Sequence, residues 1–127
     1  KLYLGNLYAK RDWGHAKDYV EAMWLILQQN KPDDFVIATG QQTTVKNFIQ
    51  LVSKKLDMKI VWKGKGILEK GYYNQKPIII IDRKYFRPTE VESLLGDISK
   101  AKKILKWKPK FNLETLIEDM INKEINI

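Results

Sequence analysis

The residues best suited to chemistry lie in the stretch Arg11-Asp12-Trp13-Gly14-His15-Ala16-Lys17-Asp18-Tyr19. A charged, aromatic turn opens there into an apolar-periodic helix, with Arg11 just ahead of it. A guanidinium can donate two parallel charge-assisted bonds to a phosphate, and a helix start adds a favourable field for negative charge. A surface ion pair between Arg11 and Asp12 accounts for the same residues without any ligand. A second arginine-centred segment far downstream, Phe86-Arg87-Pro88-Thr89-Glu90-Val91, shifts the balance toward a ligand.

Other chemistries find little support. The chain has one histidine, His15, and no cysteine, so metal clusters built on either are excluded and no metal site is expected. His15 reads as a turn or helix-entry residue rather than a catalytic one, because nothing near it resembles a nucleophile elbow. There is no G-x-G-x-x-G and no Walker loop; Gly64 and Gly66 form a lone G-x-G without a convincing helix start. Tyr72 and Lys76 have the Tyr-x-x-x-Lys spacing by which a helical lysine lowers a tyrosine's pKa. Gly71 before the pair and Pro77 after it argue against a helix, so the dyad is a decoy. No catalytic side chain is expected in these residues.

The elements that must position the arginines follow from periodicity. Leu2 to Leu4 suit a short strand ending at Gly5-Asn6, and Asn6 and Lys10 flank the turn before Arg11. Ala16, Tyr19, Val20, Met23, Ile26 and Leu27 form one face of a helix that should end near Gln29-Asn30. Phe35–Ala38 reads as a strand stopped by Thr39-Gly40. Thr43 or Thr44 then caps a second helix marked by Val45, Phe48, Ile49, Val52 and Leu56. Residues 59–62 are a third strand candidate, and 63–77, with three glycines and no period, reads as an exposed loop. Ile78–Ile81 is a buried strand. A short helix begins at Asp97 or Ser99, Trp107-Lys108-Pro109 breaks it, and Asn112 caps a last helix whose inner face is Leu113, Leu116, Ile117, Met120 and Ile121. Strands alternating with helices give an α/β fold class.

At 127 residues the length suits one domain, with 44% hydrophobic and 30% charged residues. No apolar run approaches the roughly 20 residues that span a bilayer, so no membrane partner is expected, and the absence of cysteine fits the cytoplasm. The formal charge of +8 would suit a polyanion binder. The lysines are dispersed, however, and Lys54-Lys55 and Lys102-Lys103 read as the wet faces of amphipathic helices, so nucleic acid is not an expected partner. The opening Lys-Leu-Tyr-Leu-Gly starts inside a strand-like segment without an initiator Met or leader pattern, which suggests a fragment or processed chain.

Residues 2–7, the run Ala9-Lys10-Arg11-Asp12-Trp13-Gly14-His15 through Trp24, residues 35–40, Tyr85-Phe86-Arg87-Pro88-Thr89-Glu90-Val91 and Trp107-Lys108-Pro109 together resemble the GDP-mannose 4,6-dehydratases, a family of extended short-chain dehydrogenase/reductases. The order and approximate spacing agree over nearly the whole chain. The resemblance covers only the family's carboxy-terminal part, without the glycine-rich NADP loop, the catalytic Thr and Glu and the genuine Tyr-x-x-x-Lys. It implies the substrate-binding lobe plus the last elements of a Rossmann sheet, to which the first helix and residues 35–38 would belong. It implies NADP as cofactor, GDP-mannose as substrate and a homo-oligomeric complete enzyme. Such enzymes oxidise the mannose at C4, eliminate water across C5–C6 and return the hydride to C6. By position, Arg11 and Arg87 correspond to arginines used on the GDP portion, and Glu90 to a carboxylate of the same ligand-binding set. Trp13 and Phe86 read as packing residues that hold the two arginines. The alternatives are a sister nucleotide-sugar dehydratase or epimerase, and a basic, non-enzymatic polyanion-binding module.

Overall fold

A computed structural model describes residues 1–87, 91 and 93–125. In chain order the elements are β1 (Leu2–Leu4), β2 (Lys10–Arg11), α1 (Ala16–Leu27), β3 (Thr43–Thr44), α2 (Val45–Lys55), β4 (Val61–Lys63), β5 (Lys70–Tyr73), β6 (Lys76–Ile81), α3 (Ser99–Ile104) and α4 (Leu113–Ile125). Short 3-10 turns occupy Gly66–Leu68 and Arg83–Tyr85. Where length suggests one domain, the chain divides into two compact units. One comprises Lys1–Lys10 and Thr44–Ser93, the other Arg11–Thr43 and Leu94–Ile127. The two-residue strands β2 and β3 lie where the chain passes from one unit to the other.

The first unit is built on a mixed sheet in the order β1-β6-β5-β4. β1 runs parallel to β6, pairing Leu2, Tyr3 and Leu4 with Ile79, Ile80 and Ile81, while β5 is antiparallel to both of its neighbours. Two strands therefore occupy the region read as a loop over 63–77. The β5–β6 turn is made by Asn74 and Gln75, both in the left-handed region at φ 48° and 64°, the backbone a two-residue hairpin requires. Tyr72 and Lys76 lie on opposite strands of that hairpin, which removes the helical face a Tyr-x-x-x-Lys dyad needs. Thr44 caps α2, its hydroxyl accepting from the Asn47 N–H at 3.1 Å, and Leu7, Ala9 and Ile79 are buried.

The second unit packs α1 and α3 around Ala22, Ala101, Leu105 and Trp107, with Tyr19, Leu25, Ile26, Phe35 and Ile37 against them. Asn112 caps α4 as its spacing predicts, accepting from the Thr115 N–H at 2.9 Å. Three expectations need correction, the first being that Met120, expected on the inner face of α4, is 51% exposed. The inward face of α1 is Tyr19, Ala22 and Ile26, whereas Val20, Met23, Trp24 and Leu27 are 60–80% exposed. The helix is apolar nearly all round, so periodicity alone does not say which side is covered. Residues 35–38 belong to no strand, since a ladder needs a neighbour and no described segment pairs with them. Among the described residues no helix is long and apolar enough to cross a membrane.

Candidate functional site

Arg11 stands half-buried at the head of an arm, residues 11–15, whose next four members are tied into the second unit. Asp12 turns its carboxylate on the Thr39–Gly40 turn: Oδ1 accepts from the Thr39 N–H at 2.8 Å and its hydroxyl at 2.7 Å, and Oδ2 from the Gly40 N–H at 2.9 Å. Trp13 donates its indole N–H to the Thr43 carbonyl at 3.3 Å. Gly14 lies under Tyr19, whose ring and hydroxyl occupy the space a Cβ would need. His15 is buried and caps α1, its Nδ1 accepting from the Lys17 N–H at 3.0 Å. With Nδ1 as acceptor the ring proton sits on Nε2, which donates to Asp119 Oδ2 at 3.0 Å while the ring stacks on Phe111 at 4.0 Å. His15 is thus a helix-entry residue, as its lone occurrence suggests. Trp13, Thr39, Gln41, Phe111 and Asn112 also line a cleft of about 210 Å³ in this unit.

Arg87 belongs to the first unit and is exposed. It lines an open cleft of about 400 Å³ together with Leu4, Gly5, Asn6, Val45, Lys84 and Tyr85. The cleft sits beyond the carboxyl ends of β1 and β6, the parallel pair of the sheet, which is where open α/β sheets tend to hold ligands. A Cβ on Gly5 would collide with the Tyr85 carbonyl, so glycine is what lets the Arg83–Tyr85 turn close over the end of β1. The start of α2 does not add free donors, because its first amides are taken: Val45 N–H by the Ala9 carbonyl, Lys46 N–H by Leu7, and Asn47 N–H by the Thr44 hydroxyl. The cleft therefore presents two cations, Arg87 and Lys84, with the Asn6 carboxamide, whose Oδ1 accepts from the Tyr8 N–H. Arg11 and Arg87 lie in different units, and Glu90 lies outside the described residues.

Three carboxylates act through partners that lie far from them in the chain. Asp12, adjacent to Arg11 in sequence, makes its contacts with Thr39 and Gly40 across 27 and 28 positions. Asp18 is 1% exposed, and its Oδ2 accepts from the N–H groups of Lys110 and Phe111 at 3.1 and 3.0 Å. Its carbonyl takes the Trp107 indole N–H at 3.1 Å, so the Trp107-Lys108-Pro109 segment is a fastening. Glu69, 4% exposed, meets Lys46 Nζ at 2.6 Å and the Tyr8 hydroxyl at 2.7 Å. Lys46 also lies 4.9 Å from the Trp62 ring centre. Burial pushes the Glu69 carboxyl up, but the bonds from Lys46 and Tyr8 outweigh it and hold it below its ordinary value. Lys46 is held above its own, chiefly by the bond to Glu69. The charge of each group offers a signal in the sequence, but not the identity of its partner.

Gly64 and Gly66, at φ 91° and 57°, shape the connection between β4 and β5. They do not form a strand-to-helix turn, so these residues do not fit a dinucleotide phosphate loop. Among the described residues no group of three or more His, Cys, Asp or Glu side chains is placed to hold a metal.

Comparison with known proteins agrees over the length of the chain. The family model described as GDP-mannose 4,6 dehydratase matches residues 1–120. GDP-mannose 4,6 dehydratases of Dictyostelium discoideum and Homo sapiens are 53% and 48% identical over 126 residues, 98% of this chain. That of Vibrio cholerae is 44% identical. The chain spans 34–37% of the length of these curated relatives. Among solved structures, RMD from Pseudomonas aeruginosa complexed with NADPH superimposes with a TM-score of 0.73 at 16% identity, covering 99% of this chain and 36% of that one. The dTDP-glucose 4,6-dehydratase of Bacillus anthracis in complex with NAD gives 0.70 at 16% identity, covering 95% and 32%. The fold is that of the corresponding third of extended short-chain dehydrogenase/reductases.

Proposed function

The chain belongs to the GDP-mannose 4,6-dehydratase family, and from that premise we propose that it is the substrate-binding portion of an NADP-dependent lyase converting GDP-mannose to GDP-4-keto-6-deoxymannose. The observation that carries this reading is the family match across residues 1–120, which contain both arginine segments. The net reaction removes one water from the sugar and leaves a ketone at C4 and a methyl group at C6. In this reading Arg11 and Arg87 offset the diphosphate charge and Glu90 accepts from ribose hydroxyls. None of the 127 residues is assigned a catalytic role, and NADP binding belongs to the larger remainder of the complete, homo-oligomeric and cytoplasmic enzyme. The exposed side of α1 and the unpaired segment Phe35–Ala38 are then the elements that complete the nucleotide-binding sheet of the whole protein.

The test is made in the complete enzyme. Arg87→Ala and Arg11→Ala should each weaken GDP-mannose binding by roughly 1.5–3 kcal/mol, the worth of a hydrogen bond to a charged group, with NADP affinity nearly unchanged. Unchanged substrate affinity in both variants would refute the assignment. The 127-residue chain by itself should show no turnover with NADP and GDP-mannose.

A further inference from the structure

We infer that Asp12 is a positioning residue for nucleoside-diphosphate recognition: by locking the Thr39–Gly40 turn to the arm, it holds the Arg11 backbone in the place from which the guanidinium meets a diphosphate. The inference rests on the reading of Arg11 above.

The geometry is specific. A carboxylate just beyond a two-residue strand is flexible unless something fixes it, and Asp12 receives three hydrogen bonds within 2.7–2.9 Å from two consecutive residues. Two of the donors are main-chain N–H groups, so neither can swing away without moving the backbone. Both oxygens are engaged, one by Thr39 and the other by Gly40, which fixes the carboxylate plane as well as its position. Gly40 has φ 77°, a conformation glycine adopts freely, so the turn presents its N–H to Asp12 without strain. The Thr39 hydroxyl is further oriented by the Gln41 N–H, which donates to it at 3.1 Å.

The peptide bond between Arg11 and Asp12 transmits this constraint directly. Immediately downstream, Trp13 bonded to Thr43 and Gly14 packed under Tyr19 hold the other end of the arm. A long, rotamer-rich arginine loses considerable entropy when a ligand immobilises it. Fixing its backbone beforehand reduces the part of that cost that falls on binding. Asp12 thus acts on affinity through Arg11, without touching the ligand.

Asp12→Asn tests this, because it keeps the shape while removing the charge and one of the two acceptor oxygens. In the complete enzyme, Asp12→Asn should lower GDP affinity by roughly tenfold, one hydrogen bond's worth of free energy. KM for GDP-mannose should rise in proportion, while kcat and NADP affinity stay within twofold. The decisive measurement is the double-mutant cycle. In an Arg11→Ala background the same substitution should change GDP affinity less than twofold, since the group it positions is gone. A full tenfold loss in both backgrounds would overturn the positioning role while leaving Arg11 as a ligand contact. If Arg11→Ala itself leaves GDP affinity intact, the reading of Arg11 fails and this inference with it. If Asp12→Asn does not fold, Thr39→Val removes one of the three donors and is run through the same cycle. Thr39→Ser should then restore affinity, and failure of that rescue would count against the network.

Discussion

Among the described residues each unit buries one carboxylate almost completely, and the two are satisfied in different ways. In the second unit Asp18, 1% exposed, accepts from two backbone N–H groups at Lys110 and Phe111. In the first unit Glu69, 4% exposed, accepts from two long side chains, Lys46 and Tyr8. Backbone donors cannot rotate away, so Asp18 dictates the path of the chain between α3 and α4. Side-chain donors can, so Glu69 ties the start of α2 to the β4–β5 hairpin by a link that could re-form elsewhere. Asp12 belongs to the first kind, with two of its three donors on the main chain. The unit that holds Arg11 is therefore braced by carboxylate-to-backbone contacts. Arg87 instead follows an exposed turn in the unit braced by side chains.

The largest effect is expected where the donors are fixed. Asp18→Ala strands the Lys110 and Phe111 amides and should destabilise the second unit by about 3 kcal/mol, because hydrogen bonds to charged groups are worth roughly 1.5–3 kcal/mol each. Hydrogen exchange at those two amides should accelerate together with the loss of stability. Asp18→Asn, with its oxygen in the Oδ2 position, keeps an acceptor for both N–H groups and should be much milder. If Ala and Asn cost the same, the charge of Asp18 matters more than its geometry and the contrast with Glu69 disappears.

Glu69→Gln should show the opposite dependence, since the partner there is an ammonium. The substitution leaves Lys46 facing a neutral amide in a site where its side chain is 20% exposed. Removing one member of a fully buried ion pair costs about 3–5 kcal/mol, and partial access of Lys46 to water brings the expectation to about 2 kcal/mol. The pH dependence has two signs. Glu69 is held below its ordinary value, so its contribution is complete above the usual carboxylate range and is lost as pH falls through the folded value. Lys46 is held above its ordinary 10.5, so its contribution is complete below that and is lost as pH rises through the folded value. Denaturation curves of parent and variant should converge at the acid end. A stability gap that persists there would mean the glutamine disturbs packing rather than charge.

What could be read from the sequence divides along the same line. Caps were legible because the acceptor and the N–H it serves lie within three residues, as with Thr44 and Asn47 or Asn112 and Thr115. The Ile78–Ile81 strand was legible from its run of β-branched residues. The β5 strand Lys-Gly-Tyr-Tyr was hidden, because it is paired on both edges yet has neither alternation nor an apolar run. The covered face of α1 could not be chosen, since apolar residues surround the helix. Asp12 and Asp18 were invisible for a deeper reason. Their donors are backbone N–H groups 27 to 93 positions away, and a backbone N–H has no residue type to recognise. Arg11 and Arg87 were legible as arginines in distinctive company, and Glu90 only through its family.

Asp119 tests whether the contrast extends to a carboxylate that is only partly covered. It accepts from His15 Nε2 at 3.0 Å and from Lys123 at 3.1 Å, with Lys17 at 3.5 Å. These contacts, the His15 bond foremost and then that of Lys123, hold its pKa at about 2 against an ordinary 3.8. A depressed folded value means the stabilisation is complete above about pH 3.8 and disappears as pH falls toward 2. Asp119→Asn keeps an oxygen for His15 to bond and removes the charge. Its melting temperature should therefore fall slightly below the parent's at pH 6, with the difference closing between pH 3.8 and 2. Of the three carboxylates this effect is the smallest, because its cations are more than half exposed and water screens them. The absence of any gap across that window would show that Asp119 serves the unit through its hydrogen bond to His15 alone, which the asparagine retains. It would then join Asp18, satisfied by geometry, instead of Glu69, satisfied by charge.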